Sequence, residues 1–221
     1  MHPTSQLLTY STPLGMQIPS TADAFQISSK IWFVWCIVWL LMAAWSKPSK
    51  RREFPWQRLE HVIPMVFGFF LIYNHRANWS VLGYRIVPQN DALTILGLLL
   101  TAGGLIFAVW ARIALGANWS GTVTIKSGHN LIRRGPYRWI RHPIYTGLLV
   151  SMIGTVMLQG EVRAFLGFGL VLLALYRKAK REERFLSDEF GEGFAEHAKH
   201  TGMFLPRFGW AAAVAKSWTN S

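Results

Sequence analysis

Five runs of mostly uncharged apolar residues, separated by links that hold most of the basic ones, limit what this chain can fold into. The runs are 31–45, 59–73, 91–111, 144–158 and 162–176. Their apolar residues come in blocks, without the spacing of an amphipathic helix or a half-buried strand. A backbone inside hydrocarbon must satisfy its own hydrogen bonds, so blocks of this length are expected to be helices. The expected fold class is all-α: a polytopic integral membrane helical bundle with about five transmembrane helices and a cytoplasmic C-terminal helix. Of 221 residues, 51% are hydrophobic and 15% charged, and no polar stretch is long enough to bury a core of its own. The expected organisation is a polar segment over residues 1–26 and a single domain over 27–221. The polar segment lacks the basic start of a cleavable signal, so the first block is expected to be retained.

The net charge of +12 would by itself admit nucleic acid as a partner. Its distribution points to a membrane instead. Lys47, Lys50, Arg51, Arg52 and Arg58 follow the first block, and Arg112, Lys126, Arg133, Arg134, Arg138 and Arg141 follow the third. Arg177, Lys178, Lys180, Arg181 and Arg184 follow the fifth. The intervening links carry only Arg76 and Arg85, then Arg163. Strong and weak links alternate, which fits five crossings with the N-terminus outside and the C-terminus cytoplasmic. The single cysteine, Cys36, excludes an intrachain disulfide and a thiolate metal cluster.

Local signals refine the blocks. Glu60, His61 and Pro64 weaken the second, which reads as a crossing or as a buried half-helix. Asp91 is placed to cap the third, and Gly97, Gly103 and Gly104 would admit a close helix neighbour. Residues 123–132 read as a short hairpin or irregular surface chain. The tight link 159–161 makes blocks four and five a helical hairpin of antiparallel neighbours. After Tyr176 the composition turns polar, as a helix that continues or bends and that Gly191 and Gly193 would break.

Two charged groups flank this hairpin's open end. One is Arg133–Gly147, RRGPYRWIRHPIYTG; the other is Arg181-Glu182-Glu183. Pro143 fits the first turn of block four, which puts Arg141 and His142 at a helix N-terminus, where an anion is favoured. Glu182 and Glu183 lie beyond the exit of block five and would meet those cations or a bound one. Composition leaves the bland alternatives open: topology-setting arginines, a solvated acidic helix face, and Tyr145 as an interfacial anchor. Tyr145 and Gly147 point to different sides of a helix, and Gly147 would admit a flat ring or a neighbouring helix. No HExxH, GxSxG, P-loop or GxGxxG pattern is present.

The pattern LGANWS at 115–120, HNLIRRGPYRWIRHPIYTG at 129–147, REE at 181–183, FG at 190–191 and Pro206 resembles the isoprenylcysteine carboxyl methyltransferase family, which is related to the phospholipid methyltransferases. The resemblance covers residues 115–206. It implies methyl transfer from S-adenosyl-L-methionine (SAM) inside a membrane helical bundle, to a hydrophobic acceptor by isoprenylcysteine carboxyl O-methylation. It further implies a cofactor site of His129, Leu131, Gly135, Tyr137, Arg141, His142, Pro143, Tyr145 and Gly147, closed by Glu182 and Glu183. Glu183, Arg141 and His142 are the expected catalytic residues, and no metal is expected. The length fits a compact bacterial member in the inner membrane, with SAM, membrane lipids and a lipid-like or prenylated acceptor as partners and no nucleic acid. Phospholipid N-methylation and small-thiol S-methylation are the alternatives, with a non-enzymatic transporter or scaffold behind them. Phe194 and His197 stand where the family often has tyrosines after the FG pair.

Overall fold

The structure is a computed structural model that describes residues 18–43, 49–52, 55–74, 80–116, 124–126 and 131–207. Its helices are α1 (Thr21–Ala43), α2 (Pro55–Tyr73), α3 (Asp91–Leu115), α4 (Pro143–Gln159), α5 (Val162–Phe190) and α6 (Glu192–His200). Two short strands, β1 (Ser49–Arg52) and β2 (Thr124–Lys126), pair antiparallel and join the α1–α2 and α3–α4 connections. Of the stretch 123–132, expected to be a short hairpin or irregular surface chain, residues 124–126 form a long-range pair with β1, and residues 123 and 127–130 lie outside the described residues. α1 begins at Thr21, within the segment 1–26 that composition marks as polar.

α1, α3 and α5 run toward one end of the bundle, and α2 and α4 run away from it. Thr21 meets Thr94 at the starts of α1 and α3, and Arg112 of α3 reaches the Met42 carbonyl where α1 stops. Glycines set the two closest pairings. Gly97 and Gly104 of α3 face Gly154 and Gly147 of α4, so each backbone lies against the other, while Gly103 faces open space. Gly68 of α2 meets Gly167 of α5 in the same manner. A β-carbon at any of these four α3–α4 positions would run into the facing helix, so the packing depends on small residues, as between helices in lipid. The hairpin expectation is thus modified. α4 and α5 follow each other through a tight turn, but their extensive partners are α3 and α2.

The main core cluster joins all five long helices through Trp32, Ile72, Leu105, Leu149, Met152, Val156, Ala164, Val171 and Leu175. Buried hydroxyls cross the same region without waste. Ser151 and Thr101 bond to helix carbonyls four residues back, and Trp32 Nε1 donates to Thr155 Oγ1 at 2.9 Å. Asn90, rather than the expected Asp91, caps α3; its side chain accepts from the Leu93 amide at 2.9 Å.

The expectation of about five transmembrane helices is not met. Among the described residues two helices are long and apolar enough to cross a membrane, Thr21–Ala43 and Asp91–Leu115. α4 has 17 residues, about 26 Å at 1.5 Å per residue and short of a ~30 Å hydrocarbon core. α2 starts with Arg58, Glu60 and His61 and holds Pro64. α5 is long, but it opens on Arg163 and turns polar from Arg177, leaving a brief apolar middle. Block counting took apolar character for span length.

Candidate active site

The Arg133–Gly147 stretch is fixed by backbone first. Gly135 adopts φ 57°, a left-handed conformation, with its α-carbon side against Ala114. Pro136 and Tyr137 then make a buried 3-10 turn. Chain from the far C-terminal side lies alongside residues 139–142. The amides of Arg141 and His142 donate to the carbonyls of Gly202 and Met203 at 2.8 and 3.1 Å, and Gly202 N–H donates back to Trp139. Gly202 is required there, because a β-carbon would strike the Leu205 carbonyl. Thr146 Oγ1 ties the first turn of α4 to the Phe204 carbonyl at 2.7 Å. Nothing in the sequence beyond Pro206 pointed to residues 201–204, since backbone pairing carries no side-chain signature.

The side chains converge at this end. Arg141 Nε donates to Glu183 Oε1 at 2.6 Å, both side chains about 14% exposed. Arg141 Nη1 also reaches the Ala198 and Thr201 carbonyls, closing the C-terminal end of α6. His142, buried at the start of α4, lies between the two acids: Nδ1 is 3.4 Å from Glu182 Oε2, and Nε2 is 3.4 Å from Glu183 Oε1. The Nε2 atom is buried and makes no hydrogen bond. The Tyr145 hydroxyl donates to Glu182 Oε1 at 2.7 Å. Its ring lies parallel to that of His142, with Phe204 edge-on to both and the Lys178 ammonium 5.6 Å from its centre.

Charge follows from this geometry. Burial works against ionised His142, but the negative charges of Glu182 and Glu183 on either side of the ring outweigh it and raise its pKa above the usual histidine value. Burial likewise opposes ionised Glu183, yet His142 and Arg141 hold its carboxyl down at about 2. Glu182 is also lowered: burial opposes its charge, and His142, Lys178 and Tyr145 prevail. Burial and the nearby Glu182 charge push the Tyr137 phenol up, partly offset by Arg112. The acids are thus anionic near neutral pH and stand beside the positive end of α4.

The expected site residues divide into groups. Arg141, His142, Tyr145, Glu182 and Glu183 are brought together. Pro143 is buried at the first position of α4, and Tyr137 is buried with Ala111 and Ile144, within the electrostatic reach of Glu182 and Arg112. Gly147 turns away, against Gly104 and Ala108 of α3, where it serves helix contact. Gly135 faces Ala114, and Leu131 is half-buried ahead of the turn. His129, residues 117–120 of the LGANWS string and the tail from 208 lie outside the described residues. Arg181, the first residue of the REE triplet, pairs with Glu60 of α2. Phe194 and His197 are buried on α6, and His197 is held below its usual pKa by burial and by Arg133, Arg141 and His200.

Residues 95–188 match the model of the isoprenylcysteine carboxyl methyltransferase (ICMT) family, a stretch that contains all the converging side chains. The chain is 30% identical over 126 residues to protein-S-isoprenylcysteine O-methyltransferase of Xenopus laevis, covering 56% of this chain and 44% of the relative. It is 32% identical over 124 residues to protein-S-isoprenylcysteine O-methyltransferase A of Arabidopsis thaliana, covering 54% and 62%. A bacterial relative, the cobalt-zinc-cadmium resistance protein CzcN of Cupriavidus metallidurans, is 32% identical over 120 residues, covering 53% of each chain. The chain thus spans about half the length of the curated relatives it matches.

Proposed function

We propose that residues 27–221 form a single SAM-dependent methyltransferase domain that methylates a hydrophobic acceptor, by chemistry of the isoprenylcysteine carboxyl O-methylation type. The observation that carries this reading is the Arg141–Glu183 pair with His142 set between Glu183 and Glu182, inside the family-matched stretch.

The residues present fit a SAM-like ligand. His142 Nε2 is a buried polar atom without a hydrogen bond, and Glu182 keeps 23% of its side chain exposed. Two ionised acids suit ribose hydroxyls or an ammonium, and the Tyr145 and Phe204 rings suit a cationic sulfur. The bound cofactor would supply an electrophilic methyl group. The chain's own task is orientation. Glu183 holds Arg141 in place, Arg141 holds α6 and residues 201–204, and Tyr145 fixes Glu182. His129, Leu131, Gly135, Tyr137 and Pro143 complete the proposed cofactor wall, with Gly147 acting behind it through the α3 contact. Aligning two reactants in this way removes entropy from the barrier, and methyl displacement depends on it. A carboxylate acceptor needs no base. An amine or thiol acceptor would have to lose a proton; of the two candidates, Glu183 is ionised and can take it, whereas His142 can do so only once it has given up its own.

The membrane character given by α1 and α3 supports lateral arrival of the acceptor from lipid. The basic links gather at the site end, which we place at the cytoplasmic face of a bacterial inner membrane, with the start of α1 at the outer face. A compact bacterial form is part of the proposal; one relative, CzcN, comes from a bacterium.

Calorimetry of the purified protein with S-adenosylhomocysteine tests the cofactor; absence of saturable heat above the micelle background would overturn it. A radiolabelled methyl-transfer screen over S-prenylcysteines, aminophospholipids and small thiols tests the acceptor. Label recovered only in aminophospholipids or thiols would replace the carboxyl acceptor with the alternative.

A further inference from the structure

α1 carries Trp32, Trp35 and Trp39 on one side. Trp35 stacks on Trp39 with ring centres 4.6 Å apart and meets Trp32 edge-on at 5.7 Å. The neighbours at the two ends of this ladder are known. Trp32 Nε1 is bonded to Thr155 of α4, and Trp39 packs on the cluster of Ala111, Tyr137 and Ile144 at the site end. Trp35 is different: its Nε1 is buried and has no hydrogen-bond partner.

A buried indole N–H left unpaired costs roughly 1–3 kcal/mol. Trp35 is only partly buried and packs at the edge of the main core cluster, so the unpaired N–H is not explained by its own neighbours. Tyr145 and Leu148 of α4 pack on that cluster as well, and Tyr145 is the residue bonded to Glu182. Trp35 therefore sits about 6 Å, one helical turn, further into the bundle than Trp39, on the apolar side of the charged site. On the other faces of the same helix Phe33 and Leu40 are exposed, 68% and 71%.

We infer that the Trp35 indole N–H receives a hydrogen-bond-accepting heteroatom of the methyl acceptor, so that Trp35 selects lipid-like acceptors bearing an oxygen or thioether sulfur near the reacting group. This rests on the methyl-transfer reading for the identity of the ligand, but the donor can be observed without turnover. The full chain labelled with 15N at the tryptophan indoles is titrated with an S-prenylcysteine, an aminophospholipid, an alkyl thiol and a prenyl hydrocarbon that has no heteroatom. The Trp35 signal is identified by its loss in Trp35→Phe and again in Trp35→Tyr. The expected result is a downfield shift of the Trp35 indole proton with at least one heteroatom-bearing ligand and none with the hydrocarbon. In Trp35→Phe the KM for the acceptor rises about 2–10-fold, the scale of one hydrogen bond, while the KM for SAM and the Tm hold. A Trp35 proton already at a hydrogen-bonded position without ligand, or no shift with any ligand, overturns the inference. A ligand-dependent shift in a protein that transfers no methyl group would leave the Trp35 site standing and remove the methyltransferase reading instead.

Discussion

Both ends of α4 are stitched by short backbone pairs, and both gather arginine and glutamate. At its start, residues 139–142 pair with 202–203; at its end, Arg85 pairs with Glu161, and the amides of Ile86 and Val87 donate to Gly160. The chemistry then diverges. At the far end the guanidinium groups are used up on helix carbonyls. Arg85 bonds to the carbonyls of Val87, Leu158 and Gln159, and fully buried Arg163 bonds to Leu71, Ile72 and Glu161. Each arginine meets the negative end of a helix, which is where a cation stabilises. At the near end Arg141 also reaches carbonyls at the end of α6, but its Nε is turned to Glu183; with His142 it stands at the positive end of α4, the unfavourable place for cations, where two acids balance them. The same residue types therefore make a closed structural cap at one end and an open charge cluster at the other.

The comparison can be broken at either end. The largest effect is expected from Arg163→Met, which leaves Glu161 and two carbonyls without their cation. Breaking a buried pair in this way costs about 3–5 kcal/mol, read as a lowered Tm in detergent, with S-adenosylhomocysteine affinity unchanged in the folded fraction. Loss of that affinity with unchanged Tm would reverse the roles given to the two ends. Glu183→Gln is expected to lower methyl transfer on the order of a hundredfold, since a small misplacement of reacting groups costs that much, and to lower Tm by less than Arg163→Met, because the amide oxygen still accepts from Arg141. Turnover equal to wild type would remove Glu183 from the mechanism. Arg85→Met removes only the cap on α4 and should lower stability by about 1 kcal/mol without affecting transfer.

The smallest effect is a pH dependence. His142 has a raised pKa, so the stability it adds is complete below the ordinary histidine value and fades as pH rises through the folded value. The Tm gap between wild type and His142→Gln should be widest near pH 6 and narrow in alkali. Glu183, depressed to about 2, acts oppositely: its contribution holds above the ordinary carboxylate value and is lost as pH falls toward 2. A gap that widens with rising pH would mean that His142 is neutral in the folded protein.

Much of the helical frame was legible because hydropathy changes sharply at the block edges. α4 starts at Pro143, α5 starts at Val162, and Gly191, with φ 48°, breaks the chain before α6, each as the residues indicated. The juxtaposition of Arg141 with Glu183 was legible from spacing around the hairpin. The number of crossings was not, because an apolar run does not disclose whether its neighbours are lipid or other helices. The partners of the arginines were not legible for a related reason. Counted as topology signals, Arg112, Arg134, Arg163, Arg85 and Arg141 turn out to sit on the C-terminal carbonyls of α1, α3, α2, α4 and α6. A one-dimensional charge tally cannot see which helix end a distant guanidinium reaches.

The pairing of residues 139–142 with 202–203 has a bearing on how the molecule is made. A ribosome delivers the arginine–histidine corner some sixty residues before the strand that holds it. Until that late strand emerges, the nascent chain has its spans but no assembled centre. Emergence of residues 202–203 is thereby the event that arms it, and a change of backbone there would be felt at His142 before it was felt anywhere in the bundle.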